Sequence, residues 1–313
     1  MKRIRTGIIG IGYLGYHHLR NIKKIEYFDI VGINDINKER LDSIASEFSV
    51  KPFYDQDKLI EESDAIFILT TTSSHYNIAK KALEKGKHCF VEKPLTFSLE
   101  EADELVNLAK SKNVLLQTGY VERFNPAFIA VKKIIKEPLF IESHRLSPFT
   151  GRSDDLSVVL DLMVHDIDIV LYFVKSPLKS ISATGVPIIS NYIDIANARL
   201  EFGNGATANI TASRISKDKM RKIRFFQRYS YISINLLENY AEIYNLKMID
   251  GKMCIERNVE KGKNIEPLYL EDLSFAEAIL GIKEPEMRPE EARESLYVAT
   301  IILEKISESL RKL

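Results

Sequence analysis

Apolar residues recur along this chain in two rhythms, and the change falls after residue 119. Before it, short solid runs alternate with longer amphipathic stretches. Ile8-Ile9, Phe28 to Ile33, Ala65 to Thr70, Cys89 to Val91 and Val114 to Thr118 read as strands. Tyr16 to Lys24, Asn37 to Phe48, Tyr76 to Lys85 and Ser98 to Lys112 read as helices, and Lys51-Pro52-Phe53 as a short edge strand. A solid apolar run suits a strand buried on both faces. Its regular alternation with helices predicts an α/β domain with a doubly wound parallel sheet, a Rossmann-type fold.

After Thr118 one more helix, Pro126 to Lys136, gives way to short strand-like runs. These are Leu139 to Leu146, Ile181 to Ile189, Ile195 to Phe202, Ala206 to Ser213, Ile223 to Phe226, Tyr229 to Leu236, Asn239 to Tyr244 and Met253 to Glu256. Phe202-Gly203-Asn204-Gly205-Ala206 is a hairpin signal. The pattern predicts an α+β domain with a large, mostly antiparallel open sheet, one face of which is free for substrate or a partner. Asp161 to Phe173 and the amphipathic stretch Pro289 to Leu313 read as helices. The expected domains are 1–119, for a dinucleotide, and 120–313, for substrate binding and oligomerisation.

The densest chemistry lies where the first strand ends. Gly10, Gly12 and Gly15 are spaced G-x-G-x-x-G around Tyr13 and Leu14. The first glycine suits a sharp turn, the second a close approach of pyrophosphate, and the third tight helix–sheet packing. The helix N-terminus then offers free N–H groups to phosphate. Asp35 follows about twenty residues on, where a carboxylate accepts from ribose hydroxyls and disfavours a 2′-phosphate. NAD is therefore the expected cofactor, with Arg40 expected among the residues that bind it and Lys38 and Arg40 together as the opposing signal for a 2′-phosphate. Thr71, Thr72 and His75 sit in a hydroxyl-rich loop at the carboxyl end of a strand, where it can line the cofactor, cap the next helix, or both. Glu92-Lys93-Pro94 occupies the equivalent place one strand later. Asp161 and His165 stand four apart on one helix, so they share a face, with Asp168 close to it. A carboxylate beside an imidazole orients it and favours its charged form.

Charge narrows the partners. Forty-four basic and 44 acidic residues cancel, so no field attracts nucleic acid. Cys89 and Cys254 stand far apart without ligand spacing, and no metal site is expected. The first residues read as a strand rather than an apolar signal, and no run reaches membrane-spanning length, so a cytoplasmic protein is expected.

Taken together, GIIGIGYLG near the start, Asp35, VEKPL at 91–95 and Asp161-Leu-Met-Val-His165 resemble the Gfo/Idh/MocA oxidoreductases over essentially the whole chain. The resemblance implies that Lys93 lies beside nicotinamide and substrate, that His165 takes the proton of the hydroxyl being oxidised, and that Asp161 assists. GYVERFNPAF at 119–128, IESHRLSPFTGRS at 141–153 and DIANARLEF at 194–202 resemble the branch containing UDP-N-acetylglucosamine 3-dehydrogenases. That branch implies oxidation of C3 of a UDP-sugar ahead of an aminotransferase that makes a 3-amino sugar for lipid A, and a homodimer or tetramer. A diphosphate calls for forked cations, which makes Arg123, Arg145, Arg152 and Arg214 candidates, with Asn125, Ser147, Thr150 and Ser153 as neutral donors. Gly151 marks a loop that could close over the sugar nucleotide. A dehydrogenase of another sugar, polyol or inositol is the alternative within enzymes. A non-catalytic dinucleotide-binding regulator is the alternative outside them, and the joint presence of Lys93, Asp161 and His165 speaks against it.

Overall fold

The computed structural model describes residues 3–149, 156–249 and 252–311. The chain divides into two compact units, Met1–Val121 with Glu266–Glu294, and Glu122–Ile265 with Ser295–Leu313. A single boundary at 119/120 makes no provision for the return of Glu266–Glu294 to the first unit.

In the first unit, β1 (Ile4–Ile9), α1 (Tyr13–Ile22), β2 (Phe28–Asn34), α2 (Lys38–Phe48), α3 (Gln56–Glu62), β3 (Ala65–Ile68), α4 (Thr72–Glu84), β4 (His88–Glu92), α5 (Leu99–Lys112) and β5 (Leu116–Gly119) follow in order. The five strands are all parallel, in the order β2-β1-β3-β4-β5. Every residue of β3 is buried, as a solid apolar run requires. Lys51-Pro52-Phe53 is not a strand. It keeps a single parallel bridge to Ile33, in which Ile33 donates to the Lys51 carbonyl (3.0 Å) and Phe53 donates to the Ile33 carbonyl (2.8 Å). The bridge uses the C=O of Lys51 and the N–H of Phe53, so Pro52 sits where its missing N–H costs no bond to β2, and the pairing extends no further. With that bridge counted, the strand order reverses between β1 and β3, the place where doubly wound sheets bind ligands. Helix α3 was not legible in the periodicity; it is started by Asp55, whose carboxylate accepts from Asp57 and Lys58 N–H. Helix α5 carries a complete capping box between Ser98 and Glu101.

The second unit contains α6 (Pro126–Val131), β6 (Phe140–Leu146), α7 (Val164–Phe173), β7 (Leu178–Val186), β8 (Ile195–Phe202), β9 (Thr207–Ser213), β10 (Met220–Gln227), β11 (Ser230–Asn235), β12 (Tyr240–Ile249) and β13 (Lys252–Lys261). Helix α8 (Pro267–Ile279) belongs to the first unit, where Phe275 packs edge-on against Phe67 and Phe90. Helix α9 (Pro289–Leu310) begins in the first unit and continues into the second. The eight strands are ordered β13-β12-β11-β10-β6-β9-β8-β7 and pair antiparallel except β6 with β9. Ile141, Ile210, Phe225 and Ile232 from the sheet form a core with Phe128, Ile167, Val170, Val298 and Ile302 from the helices.

Strand β6 turns Ile141, Ser143 and Arg145 inward on alternate positions, so a guanidinium enters the core with the aliphatic side chains. Asp166 on α7 meets it: Arg145 donates to Asp166 from Nε at 2.7 Å and from Nη2 at 3.2 Å, and Ser143 donates at 2.8 Å. Arg145 also reaches Glu122 at 2.7 Å. Two residues along α7, Asp168 accepts both Nε (2.8 Å) and Nη2 (2.6 Å) of Arg123, which is 2% exposed and lies 5.0 Å from the Tyr172 ring centroid. Removing one member of such a pair strands the other in a dry interior. Arg123→Ala is expected to destabilise the second unit by about 3–5 kcal/mol, read as a fall in the urea midpoint with an unchanged slope. A change below about 1 kcal/mol would show the pair to be worth no more than a surface one.

Candidate active site

Chain geometry at the end of β1 builds a cradle. Gly10 has φ +88°, and a Cβ there would sit 2.8 Å from the Leu69 backbone. A Cβ at Gly15 would come within 2.0 Å of the Gly10 carbonyl oxygen, so the helix packs this closely only with glycine. Gly12 differs: a Cβ there would meet nothing nearer than Arg40 at 3.8 Å. Internal packing does not explain that glycine, whereas the close approach of a ligand does. Gly12 caps α1 without a side-chain hydrogen bond, which leaves the amides of the first turn available to an anion.

The cradle opens on a cavity of about 700 Å³ lined by Gly10, Gly12, Leu14, Asp35, Arg40 and Thr71 among the expected residues. Asp35 spans its entrance turn, accepting Ile11 N–H (2.9 Å) on one oxygen and Asn37 N–H (2.8 Å) on the other. Arg40 lies 3.7 Å from it. Tyr13 is 63% exposed, and neither it nor Gly15, Thr72, His75, Glu92 or Lys93 lines this cavity. Gln56 and Asn77 line it unanticipated. Asn77 follows Ser73 by four on α4 and could have been found by helical spacing; Gln56 carries no local signal. Thr71 caps α4 by position, yet its hydroxyl makes no cap bond and contacts Ser73 Oγ at 3.2 Å instead.

His75 is buried between two loops, with Nδ1 2.9 Å from the Pro94 carbonyl and Nε2 3.1 Å from the Thr70 carbonyl. Burial holds it below the ordinary histidine value, so it is a neutral ring that donates to one carbonyl at a time. It braces the segment after β4 and does not line the cavity. In that segment Glu92 is buried, its Oε2 accepts the Lys93 N–H at 3.1 Å, and Lys93 is half-buried. Glu92 Oε1 faces Nε2 of His18 on α1 at 3.1 Å, and His18 Nδ1 faces Asp272 on α8 at 2.7 Å. Burial opposes charge on His18, but Asp272 and Glu92 outweigh it and push His18 up to about 10. The stability this pairing contributes is therefore complete below the ordinary histidine value of about 6.5 and is lost as pH climbs through 10. His18, Glu92 and Glu271 each place a ligand atom within 4.8 Å of the others, the spacing of a cation site. The imidazolium itself supplies the cation there.

In the second unit, α7 does not run unbroken from Asp161. A wide turn over Val159–Met163 carries Asp161, and α-helical geometry begins at Val164, one residue before His165. Such wide turns re-aim side chains and recur at functional sites. His165 and Asp161 are partly exposed, while Asp166 and Asp168 on the same helix point into the ion pairs described above. Arg123 and Arg145 were expected to grip a diphosphate, but their forks are already filled by buried carboxylates. Asn125 is likewise committed, accepting Ala127 N–H (3.1 Å) and donating to the Leu236 carbonyl (3.0 Å). Arg214 is buried, donating to the Leu156 carbonyl and lying 3.7 Å from Asp194. Arg152, with Thr150, Gly151 and Ser153, lies outside the described residues. Glu122, unforeseen, is central: burial raises its carboxyl, but Arg145 and Arg221 together hold it below the usual range.

Comparison with known proteins bears on this geometry. Residues 4–120 match an oxidoreductase-family model described as an NAD-binding Rossmann fold, and residues 140–229 match the GFO/IDH/MocA C-terminal domain. The chain is 36% identical over 246 residues, 78% of each sequence, to a UDP-N-acetylglucosamine 3-dehydrogenase of Acidithiobacillus ferrooxidans. A solved structure of that enzyme from the same organism superposes with a TM-score of 0.90 over 98% of both chains, at 31% identity. A scyllo-inositol 2-dehydrogenase (NAD(+)) of Bacillus subtilis (strain 168) is 31% identical over 68% of each chain. Among the described residues, no helix is long and apolar enough to cross a membrane. The glycine cradle, the cavity at the strand reversal and these matches together place the chain in the GFO/IDH/MocA oxidoreductase family, with an NAD-binding Rossmann domain at its N-terminal end.

Proposed function

We propose that this protein oxidises a hydroxyl of a sugar nucleotide to a ketone, and that its substrate is UDP-N-acetylglucosamine, oxidised at C3. The observation that carries the reading is the relative of that name, alike in sequence over 78% of the chain and in fold over 98%. Gly12 and the uncapped first turn of α1 hold the pyrophosphate of NAD, and Asp35 receives the ribose hydroxyls. When bound, NAD accepts the hydride that leaves the carbinol carbon. His165 takes the hydroxyl proton as base, and Asp161 orients its ring. Lys93 hydrogen-bonds the same oxygen and offsets the negative charge growing on it. The product, a 3-keto sugar nucleotide, is then a substrate for an aminotransferase, giving a 3-amino sugar for lipid A in the cytoplasm. The sheet of the second unit joins copies of the chain into a dimer or tetramer.

The inositol dehydrogenase relative favours a second reading, an unphosphorylated polyol as substrate. Mass spectrometry separates the two. With NAD, UDP-N-acetylglucosamine should lose two hydrogens and inositol should be unchanged; the reverse pattern would overturn the proposal. A UDP-sugar should also raise the unfolding temperature in proportion to the logarithm of its concentration. Lys93→Ala and His165→Asn are each expected to lower turnover about 10²–10⁴-fold while NAD affinity persists. Near-normal turnover in either variant would remove that residue from the mechanism. Gly12→Ala has room to fold and should bind NAD at least about tenfold more weakly, because its methyl occupies the pyrophosphate approach. Unchanged affinity by calorimetry would place the pyrophosphate elsewhere.

A further inference from the structure

One cluster in the first unit is used by none of the roles above. His18 on α1, Glu92 at the end of β4, and Glu271 and Asp272 on α8 are all buried, His18, Glu271 and Asp272 completely. His18 bridges Glu92 and Asp272 with its two ring nitrogens. Burial raises Asp272 to about 6 against the pull of His18, so at neutral pH this pair is ionised. Glu271 faces Glu92, His18 and Asp272; burial and then Glu92 push its carboxyl well above the usual range. The Tyr120 backbone N–H faces this carboxyl and pulls against the rise. Glu266, also in this unit, bears on Asp272, and the Lys93 ammonium bears on Glu92.

Left alone, a carboxylate as buried as Glu92 would take a proton. It keeps its charge because His18 and Lys93 lower it, and it uses that charge on two donors: the His18 ring and the Lys93 main-chain N–H. Glycine at 119 leaves the space this carboxyl occupies, since a Cβ there would stand 3.0 Å from Oε1. We propose that His18 is a positioning residue for Lys93, acting by locking the Glu92 carboxylate that holds the Lys93 backbone. Asp272 keeps the His18 ring oriented and charged, as a carboxylate does for a histidine in other catalytic chains of this kind. The inference rests on Lys93 being the residue that meets the substrate oxygen.

Two measurements on the full-length protein test it, one of them independent of turnover. In the first, ring-nitrogen NMR of histidine-labelled protein should show His18 with both N–H protons at about pH 8.5, two units above an ordinary histidine. Glu92→Gln should restore titration nearer neutrality, and His18→Gln should raise amide exchange at Lys93. A neutral His18 ring at that pH, or unchanged exchange at Lys93, would overturn the inference. The second is a double-mutant cycle with NAD and UDP-N-acetylglucosamine. His18→Gln and Glu92→Gln should each lower kcat about 10–100-fold, with both KM values within about threefold of wild type. The double variant should be no slower than Glu92→Gln alone, since one residue acts through the other. Additive losses would mean separate structural roles and would overturn the inference. Should His18→Gln fail to fold, Asp272→Asn keeps the shape and removes one carboxylate; it should give the same direction in both measurements. If wild type does not turn over this substrate, the substrate assignment falls, and the ring titration and Lys93 exchange still decide the role of His18.

Discussion

Charge taken out of water must meet its opposite at short range, and in both units that requirement decides where the chemistry sits. Desolvating a carboxylate or a guanidinium costs more than any single hydrogen bond returns, so the buried ions here are held against an opposite charge at short range. Arg145 satisfies Asp166 and Glu122, Arg123 satisfies Asp168, and His18 satisfies Asp272 and Glu92. None of these pairs is optional once the surrounding strands have closed. They convert loosely specified helices into elements with one allowed rotation, and the functional side chains ride on those elements.

Helix α7 makes the point. Its interior-facing residues are mostly aliphatic and would tolerate small slips along the sheet, since apolar contact is non-directional. Asp166 and Asp168 do not tolerate them, because each accepts from a fork of fixed geometry. His165, between the wide turn and these anchors, inherits a defined direction. On the other unit the same logic acts through Glu92: its carboxylate bridges a buried imidazolium and the Lys93 amide. Two chemically different anchors thus hold the two residues assigned to proton and charge management.

The cofactor cradle obeys a different constraint, one of space rather than charge. Gly10 needs a backbone angle that side chains resist, and Gly15 needs the absence of a Cβ against a carbonyl. Those demands are met inside the fold, whereas Gly12 is open toward the cavity. Its glycine makes sense through what approaches from outside, and this separates a binding loop from an ordinary tight turn.

Local pattern was enough for much of this protein. The five parallel strands, the helix from Ser98, the glycine spacing, Asp35 and the strand-rich second half were all legible, because each depends on neighbours within a turn or a strand. Lys51-Pro52-Phe53 was over-read, since periodicity does not reveal how far a short edge segment pairs. What the chain order could not supply was long-range pairing. Arg123 and Arg145 look like phosphate grips until Asp168 and Asp166, 45 and 21 residues away, are seen to occupy them. His18 looks like an ordinary helical residue until Asp272, 254 positions on, is brought beside it. A charged side chain announces its type in the sequence but not its partner, because partners are chosen by the folded interior that excludes water from both.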